Sequence, residues 1–308
     1  MKEDESMNIS IIRSDRIYKK IAVSKEESRN DIYRYELMKP FEFKWQCIGI
    51  PLKAEGPKGY DVVSMNTMGG GYLPSAIDES KLQEIEKISD DGFWKSCEES
   101  IRKTLEAFEA HGIKLPVQEY VFTVLLNDPL NPMSRMTGDY CGDGGIPGYI
   151  LGTIIPNEKS REMLPVALAH ETNHNIRWQF VKWSQNITLA DMVVSEGLAE
   201  VYAASVYGED KIGMWVKNTS KDTLEEIIKP MIEKNLMEKD FNKISSYLYG
   251  DEIMSMRGSQ PVGMPYCGGY AYGYYLIRDF LKKSGKSIYE ATVMSTGEIL
   301  AAMCCSEE

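Results

Sequence analysis

The sequence lacks two features that would have indicated its class at once. It has no excess of basic residues, since 35 Lys and Arg stand against 46 Asp and Glu and give a formal net charge of −11. It has no apolar run near the roughly 18 residues that a transmembrane helix needs. Without a basic stripe, nucleic acid is disfavoured as a partner, and so is an anionic membrane surface.

Cysteine and histidine are both scarce. The six cysteines form no CxxC pair and favour free thiols in a reducing compartment. The acidic N-terminus lacks the apolar core of a signal peptide, so we expect a cytoplasmic protein. Because the 308 residues include three histidines, any local grouping of them is informative.

The composition nevertheless supports a folded core, since 43% of the residues are hydrophobic. The length predicts one large or two modest domains, and we expect a small N-terminal α+β lobe over residues 1–75 and a larger domain over 76–308. A helix is predicted near 26–37. Three short β-branched runs in the lobe are candidate strands: 9–12, 43–50 and 60–63.

Downstream, an amphipathic helix over 93–111 is predicted to end at Gly112. Residues 119–127 and 149–155 read as strands, the second near a sheet edge, with an irregular segment between them. The rest is predicted to be mostly helical, over about 160–183, 188–207, 221–236, 238–249 and 268–284. Strands first and helices later predict an α+β fold rather than a doubly wound sheet.

The most informative segment is the HExxH stretch that begins at His170. Residues four apart on a helix share one face, so His170 and His174 can direct their imidazoles at one ion, and zinc suits this pair. Glu171 is placed to take a proton from the attacking water without binding the metal. The alternative is a pair of surface histidines, but the apolar residues around the motif predict a central helix.

Catalytic zinc sites use three protein ligands, and the next helix offers Glu196 and Glu200 one turn apart. We assign Glu196 as the third ligand. Glu200 would accept a hydrogen bond from the far nitrogen of His170, and Gly197 would let the two helices approach. The alternative is that both glutamates are solvated surface residues.

These motifs resemble those of the gluzincin (thermolysin-like) zinc metallopeptidases, in which the HExxH helix precedes a second helix that carries a ligand Glu. The segment Ser195-Glu-Gly-Leu-Ala199 is similar to the short motif that contains the ligand Glu in that family. The chain resembles more closely the YjaZ-like family of predicted zinc-dependent proteases, over roughly residues 80–300. The resemblance implies a zincin-like core: a small twisted sheet, an active-site helix and a helical C-terminal half.

Two further groups are candidates for the reaction. Tyr270 and Tyr274, one turn apart, could each donate to the carbonyl oxygen that becomes negatively charged, although both could equally be packing aromatics. In gluzincins an edge strand pairs with the extended substrate, and this resemblance implies that Gly148, Tyr149 and Ile150 bind substrate. A glycine-rich hairpin is the alternative for that segment.

The sequence thus predicts a metallopeptidase that holds one Zn²⁺ ion and cleaves a peptide or protein substrate. Two alternatives remain open at this point. The chain could be a zinc-binding sensor without catalysis, or a metallohydrolase of non-peptide amides or esters.

Overall fold

Four strands form a mixed sheet in the N-terminal half of this computed structural model, which describes residues 7–56, 59–136, 138–184 and 186–304. The strands are β1 Asn8–Ile11, β2 Glu119–Leu126, β3 Tyr140–Ile146 and β4 Tyr149–Ile154. Their order in the sheet is β1-β2-β4-β3. β1 and β4 run parallel to β2, whereas β3 runs antiparallel to β4.

The helices outnumber the strands. Seven helices of the described chain precede β4: α1 Ser14–Val23, α2 Glu26–Ile32, α3 Glu42–Cys47, α4 Val62–Met68, α5 Leu82–Glu86, α6 Asp91–Ala110 and α7 Pro132–Met136. A π-helical segment, Tyr33–Met38, extends α2. The helices after β4 are α8 Glu158–Phe180, α9 Leu189–Tyr207, α10 Met214–Lys217, α11 Lys221–Thr223, α12 Lys229–Asn235, α13 Phe241–Met256, α14 Gly268–Ser284, α15 Ile288–Val293 and α16 Thr296–Cys304.

The chain divides into two compact units. The first comprises Met1–Glu106 with Pro116–Glu171, and the second comprises Ala107–Leu115 with Thr172–Glu308. The sheet belongs to the first unit, in which β1 pairs with β2 from Asn8 opposite Glu119. The start of the predicted N-terminal lobe therefore shares a sheet with a later strand. The domain boundary after residue 75 stays a prediction.

Two of the three candidate strands in the lobe were wrong. Residues 9–12 overlap β1, but 43–50 overlap helix α3 and 60–63 overlap the start of α4. Phe41 and Trp45 are buried and four residues apart, which is the spacing of one helix face. Helical periodicity therefore outweighs the strand propensity of these aromatic residues.

The predicted strand over residues 149–155 is β4, which lies near the sheet edge as predicted but is not itself the edge strand. β4 pairs with β2 on one side and with β3 on the other, so its main chain is already hydrogen-bonded on both sides. The edge is β3, which we had expected to be irregular. Glycine lowers strand propensity, and the glycines at positions 142, 144 and 145 are the reason that no strand was predicted here.

The remaining secondary-structure predictions were confirmed. α6 is followed by Gly112 at φ +80°, and the segment after β4 is mainly helical. The fold is therefore α+β, as predicted. None of the helices that the structure describes combines the length and apolarity required to cross a bilayer.

The close approach that Gly197 permits is to α14, and not to the motif helix as we had expected. A Cβ at Gly197 would lie 2.1 Å from the carbonyl oxygen of Gly273 on α14. A Cβ at Gly273 would lie 2.3 Å from the Val193 oxygen on α9. Any side chain at either position would force these two helices of the second unit apart.

Candidate metal centre

The HExxH motif lies on α8, which is buried along most of its length. Leu164, Leu168 and Ile176 are fully buried, and His170 and His174 are 6% and 7% exposed. The alternative of two surface histidines is therefore wrong. Two imidazoles that are buried one helical turn apart need polar or ionic partners, because an unsatisfied buried polar group is unfavourable.

Helix α9 supplies the carboxylates. It begins with a capping box: Thr188 accepts from the Asp191 amide at 3.3 Å, and Asp191 accepts from the Thr188 amide at 2.9 Å. Glu196 and Glu200 are 7% and 4% exposed. The solvated-glutamate alternative is therefore excluded for both residues.

Among the residues that the structure describes, His170, His174 and Glu196 form a group suited to a metal ion. Each offers a ligand atom, and these atoms lie within 4.8 Å of one another. His174 Nε2 lies 3.2 Å from Glu196 Oε2. Zinc bonds of about 2.0–2.1 Å in a tetrahedron place two ligand atoms about 3.3–3.4 Å apart. The separation of this pair matches a shared ion.

The hydrogen bond of the second histidine also fits a metal. His174 Nδ1 lies 2.9 Å from Ser195 Oγ, so Nδ1–H can donate to the hydroxyl and leave the Nε2 lone pair toward Glu196. A lone pair facing a carboxylate oxygen is repulsive unless a cation lies between them. The donor set, its burial and the tautomer that this hydrogen bond permits fit a zinc ion. No role was predicted for the Ser195 side chain, although Ser195 directly precedes Glu196.

Glu171 makes a contact that the sequence did not predict. Its Oε2 accepts a hydrogen bond of 2.8 Å from the main-chain amide of Gly144 on β3. A Cβ at Gly142 would lie 2.3 Å from Glu171 Cγ, and a Cβ at Gly144 would lie 1.9 Å from the Glu171 carbonyl oxygen. Gly142 and Gly144 are therefore required by the close approach of β3 to Glu171.

Glu200 binds the chain that follows α9. Its two carboxylate oxygens accept from the Gly213 amide at 2.5 Å and from Trp215 Nε1 at 3.0 Å. The predicted hydrogen bond between Glu200 and His170 stays a prediction.

The two candidate tyrosines lie in different surroundings. The Tyr274 hydroxyl donates to Glu209 at 2.5 Å and accepts from Arg278 at 3.0 Å. Burial and this bond to Glu209 raise the pKa of Tyr274 above its usual value. The Tyr270 ring lies 6.0 Å from that of Trp215, the residue that donates to Glu200. Tyr270 therefore lies beside the tryptophan whose indole N–H is hydrogen-bonded to Glu200.

The three predicted substrate residues lie at the β3–β4 hairpin. Gly148 has φ +84° and forms the turn, while Tyr149 and Ile150 are paired with Val121 and Phe122 of β2. The hairpin alternative is therefore the observed structure. Main-chain pairing with a substrate, the reason for choosing these residues, does not apply to Tyr149 and Ile150.

The fold and site define an α+β protein with a buried metal-type centre of two histidines and a glutamate. A family model described as "Predicted Zn-dependent protease" matches residues 93–301, which include α8, α9 and α14. The chain belongs to this family.

It is also similar to "Uncharacterized protein YjfC" of Bacillus subtilis (strain 168). The two are 32% identical over 296 residues, which cover 96% of this chain and 98% of the relative. No solved structure matches the chain.

Proposed function

We propose that the protein is a zinc-dependent metallopeptidase of the gluzincin type, with one Zn²⁺ held by His170, His174 and Glu196. The observation that carries the proposal is the group of three buried ligand atoms within 4.8 Å of one another. The family match supports zinc and proteolysis at a coarser level. A zinc ion there supplies Lewis acidity, which activates water near neutral pH and polarises a carbonyl group.

In this proposal Glu171 moves the protons. It takes one from the attacking water and returns one to the leaving amine. Its Oε2 accepts a hydrogen bond from the Gly144 amide, which orients the carboxylate for these transfers. Because β3 is the edge strand beside Glu171, we place the extended substrate along β3 instead of β4.

A deciding experiment compares peptide cleavage by the purified protein before and after metal removal. We expect one zinc per chain by mass spectrometry, loss of cleavage with a chelator, and recovery on addition of zinc. Zinc binding without cleavage of any peptide in a broad library would instead support a zinc-binding regulatory protein. Cleavage of amides or esters alone would support the non-peptide hydrolase. Absence of nucleic-acid and membrane partners and a cytoplasmic location stay predictions.

Of the two tyrosines, we propose Tyr270 as the donor to the developing oxyanion, since the Tyr274 hydroxyl is bonded to Glu209 and Arg278. We expect Tyr270→Phe to lower kcat about a hundredfold, as loss of one oxyanion donor does, with zinc retained. Tyr275→Phe, an exposed position on the same helix, is the matched control. A loss confined to Tyr274→Phe would transfer the role to that residue.

A further inference from the structure

Lys44 on α3 is a buried lysine far from the motif helix in sequence. Its side chain is 1% exposed, and its Nζ lies 2.7 Å from Asp143 Oδ2 on β3. A buried ammonium group is strongly unfavourable unless it is paired. Asp143 is 46% exposed, so the pair is asymmetric. The buried ammonium group of Lys44 needs Asp143 as its counter-charge, whereas the carboxylate of Asp143 is also solvated by water. Phe43, beside Lys44, stacks on Tyr149 of the hairpin at 6.1 Å.

Asp143 lies where the pairing of β3 with β4 becomes irregular. The register is regular up to Asp143 opposite Leu151 and then shifts before Ile146 opposite Tyr149. The second carboxylate oxygen of Asp143 accepts from the Gly145 amide at 3.1 Å. Asp143 therefore joins Lys44 on one side to the main chain of the bulge on the other. Bulges of this kind redirect main-chain groups.

The redirected group is the amide of Gly144, which donates to Glu171 Oε2 at 2.8 Å. The strand has no room to shift toward the helix, because a Cβ at Gly144 would already lie 1.9 Å from the Glu171 carbonyl oxygen. Any movement of the bulge must therefore be away from Glu171 and must lengthen that hydrogen bond. Lys44, Asp143, Gly144 and Glu171 form a continuous chain of contacts within the first unit.

We propose that Lys44 is a positioning residue for Glu171, which acts through Asp143 and the β3 bulge. The inference rests on the proposed role of Glu171 as general base. It also gives a function to the N-terminal segment, since Lys44 precedes the residues 93–301 that the family model matches. Lys44 has no part in the proton transfers. It fixes the main-chain donor that orients the carboxylate.

The test is Lys44→Met in the full-length, zinc-loaded protein, since methionine keeps the apolar stem and leaves Asp143 half exposed. We expect kcat to fall about tenfold to a hundredfold, as for a misplaced catalytic group, with KM and zinc content unchanged. Hydrogen exchange at the Gly144 amide should lose its protection. The matched control is Lys39→Met, because Lys39 forms an exposed ion pair with Glu42 and should change neither reading.

Two further variants separate positioning from a general loss of structure. In a Glu171→Gln background, Lys44→Met should lower the residual rate no further, since the base it positions is absent. Asp143→Asn, which removes the charge but can still accept from Gly145, should reproduce the kcat and exchange effects if Lys44→Met does not fold.

The exchange reading is independent of catalysis and therefore distinguishes the two proposals. If the wild-type protein cleaves no substrate, the proposed function fails, and Gly144 exchange still tests the link from Lys44. Unchanged Gly144 protection in Lys44→Met overturns the positioning role, whatever the activity. A rise in KM with unchanged kcat also overturns it.

Discussion

Glu171→Gln is expected to keep its zinc and to lose about a thousandfold or more of the hydrolytic rate. General bases contribute typically about 10²–10⁴-fold, and an amide cannot accept the proton. The substitution is nearly isosteric, and its amide oxygen can still accept from the Gly144 amide, so the position of the side chain should be preserved. The measurement is kcat/KM on a peptide that the wild type cleaves, with zinc quantified in the same samples.

The matched control for this prediction is Glu158→Gln at the exposed first residue of the same helix. It removes a negative charge from α8 without touching the buried motif, and its rate should equal that of the wild type. Cleavage by Glu171→Gln at the wild-type rate would remove Glu171 from the mechanism. Loss of zinc together with activity would show that Glu171 is a ligand rather than a base.

The second large effect is expected for Glu196→Ala. Removing the carboxylate leaves two histidines as the candidate ligands. It also removes the negative charge of Glu196, whose Oε2 lies 3.2 Å from His174 Nε2. We expect zinc affinity to fall by more than about a hundredfold, since a residue that merely supports a ligand accounts for about 10–100-fold. Isothermal titration with zinc, or competition with a chelator of known affinity, measures the change.

Thermal unfolding gives an independent reading of the same variant. A ligand that binds only the folded state at 100 times its Kd stabilises it by about 2.7 kcal/mol, so zinc should raise the wild-type Tm. Glu196→Ala should lose most of that rise at the same zinc concentration. Glu200→Gln keeps one of the two oxygens that accept from Gly213 and Trp215 and leaves Glu196 in place, so its loss of affinity should be the smaller one. Equal zinc affinity in Glu196→Ala and wild type would refute the ligand assignment.

The parts of the site that could be predicted from sequence depend on contacts within one helix. His170 and His174 share a face because they are four residues apart, and Glu196 was identified because a buried carboxylate needs a positive partner. Its convergence with the histidines agrees with that argument. Local periodicity and charge balance can be recognised in a single sequence, because recognising them does not require knowing which strand or loop approaches the helix.

The parts that could not be predicted depend on long-range approach. The glycine-rich sequence of β3 predicts a loop, because the need for Gly142 and Gly144, which leave room for Glu171, becomes visible only when strand and helix are placed together. The hydroxyl of Tyr274 is hydrogen-bonded to Glu209, which lies 65 residues earlier in the chain. The pairing of β1 with β2 likewise joins segments separated by more than a hundred residues, and no pattern in β1 specifies its partner.

Arg177, one helical turn beyond His174, is fully buried, and burial lowers its pKa to about 10. Its guanidinium donates hydrogen bonds to the main-chain carbonyls of Thr292 and Met294 and to the hydroxyl of Thr296, and not to an acidic group. During synthesis from the N-terminus, this cation has no such acceptors until residues 292–296 have been made. Burial of the helix that carries the candidate metal-binding histidines is thereby coupled to the formation of α15 and the start of α16, and a chain cut before residue 292 would leave this guanidinium without these acceptors.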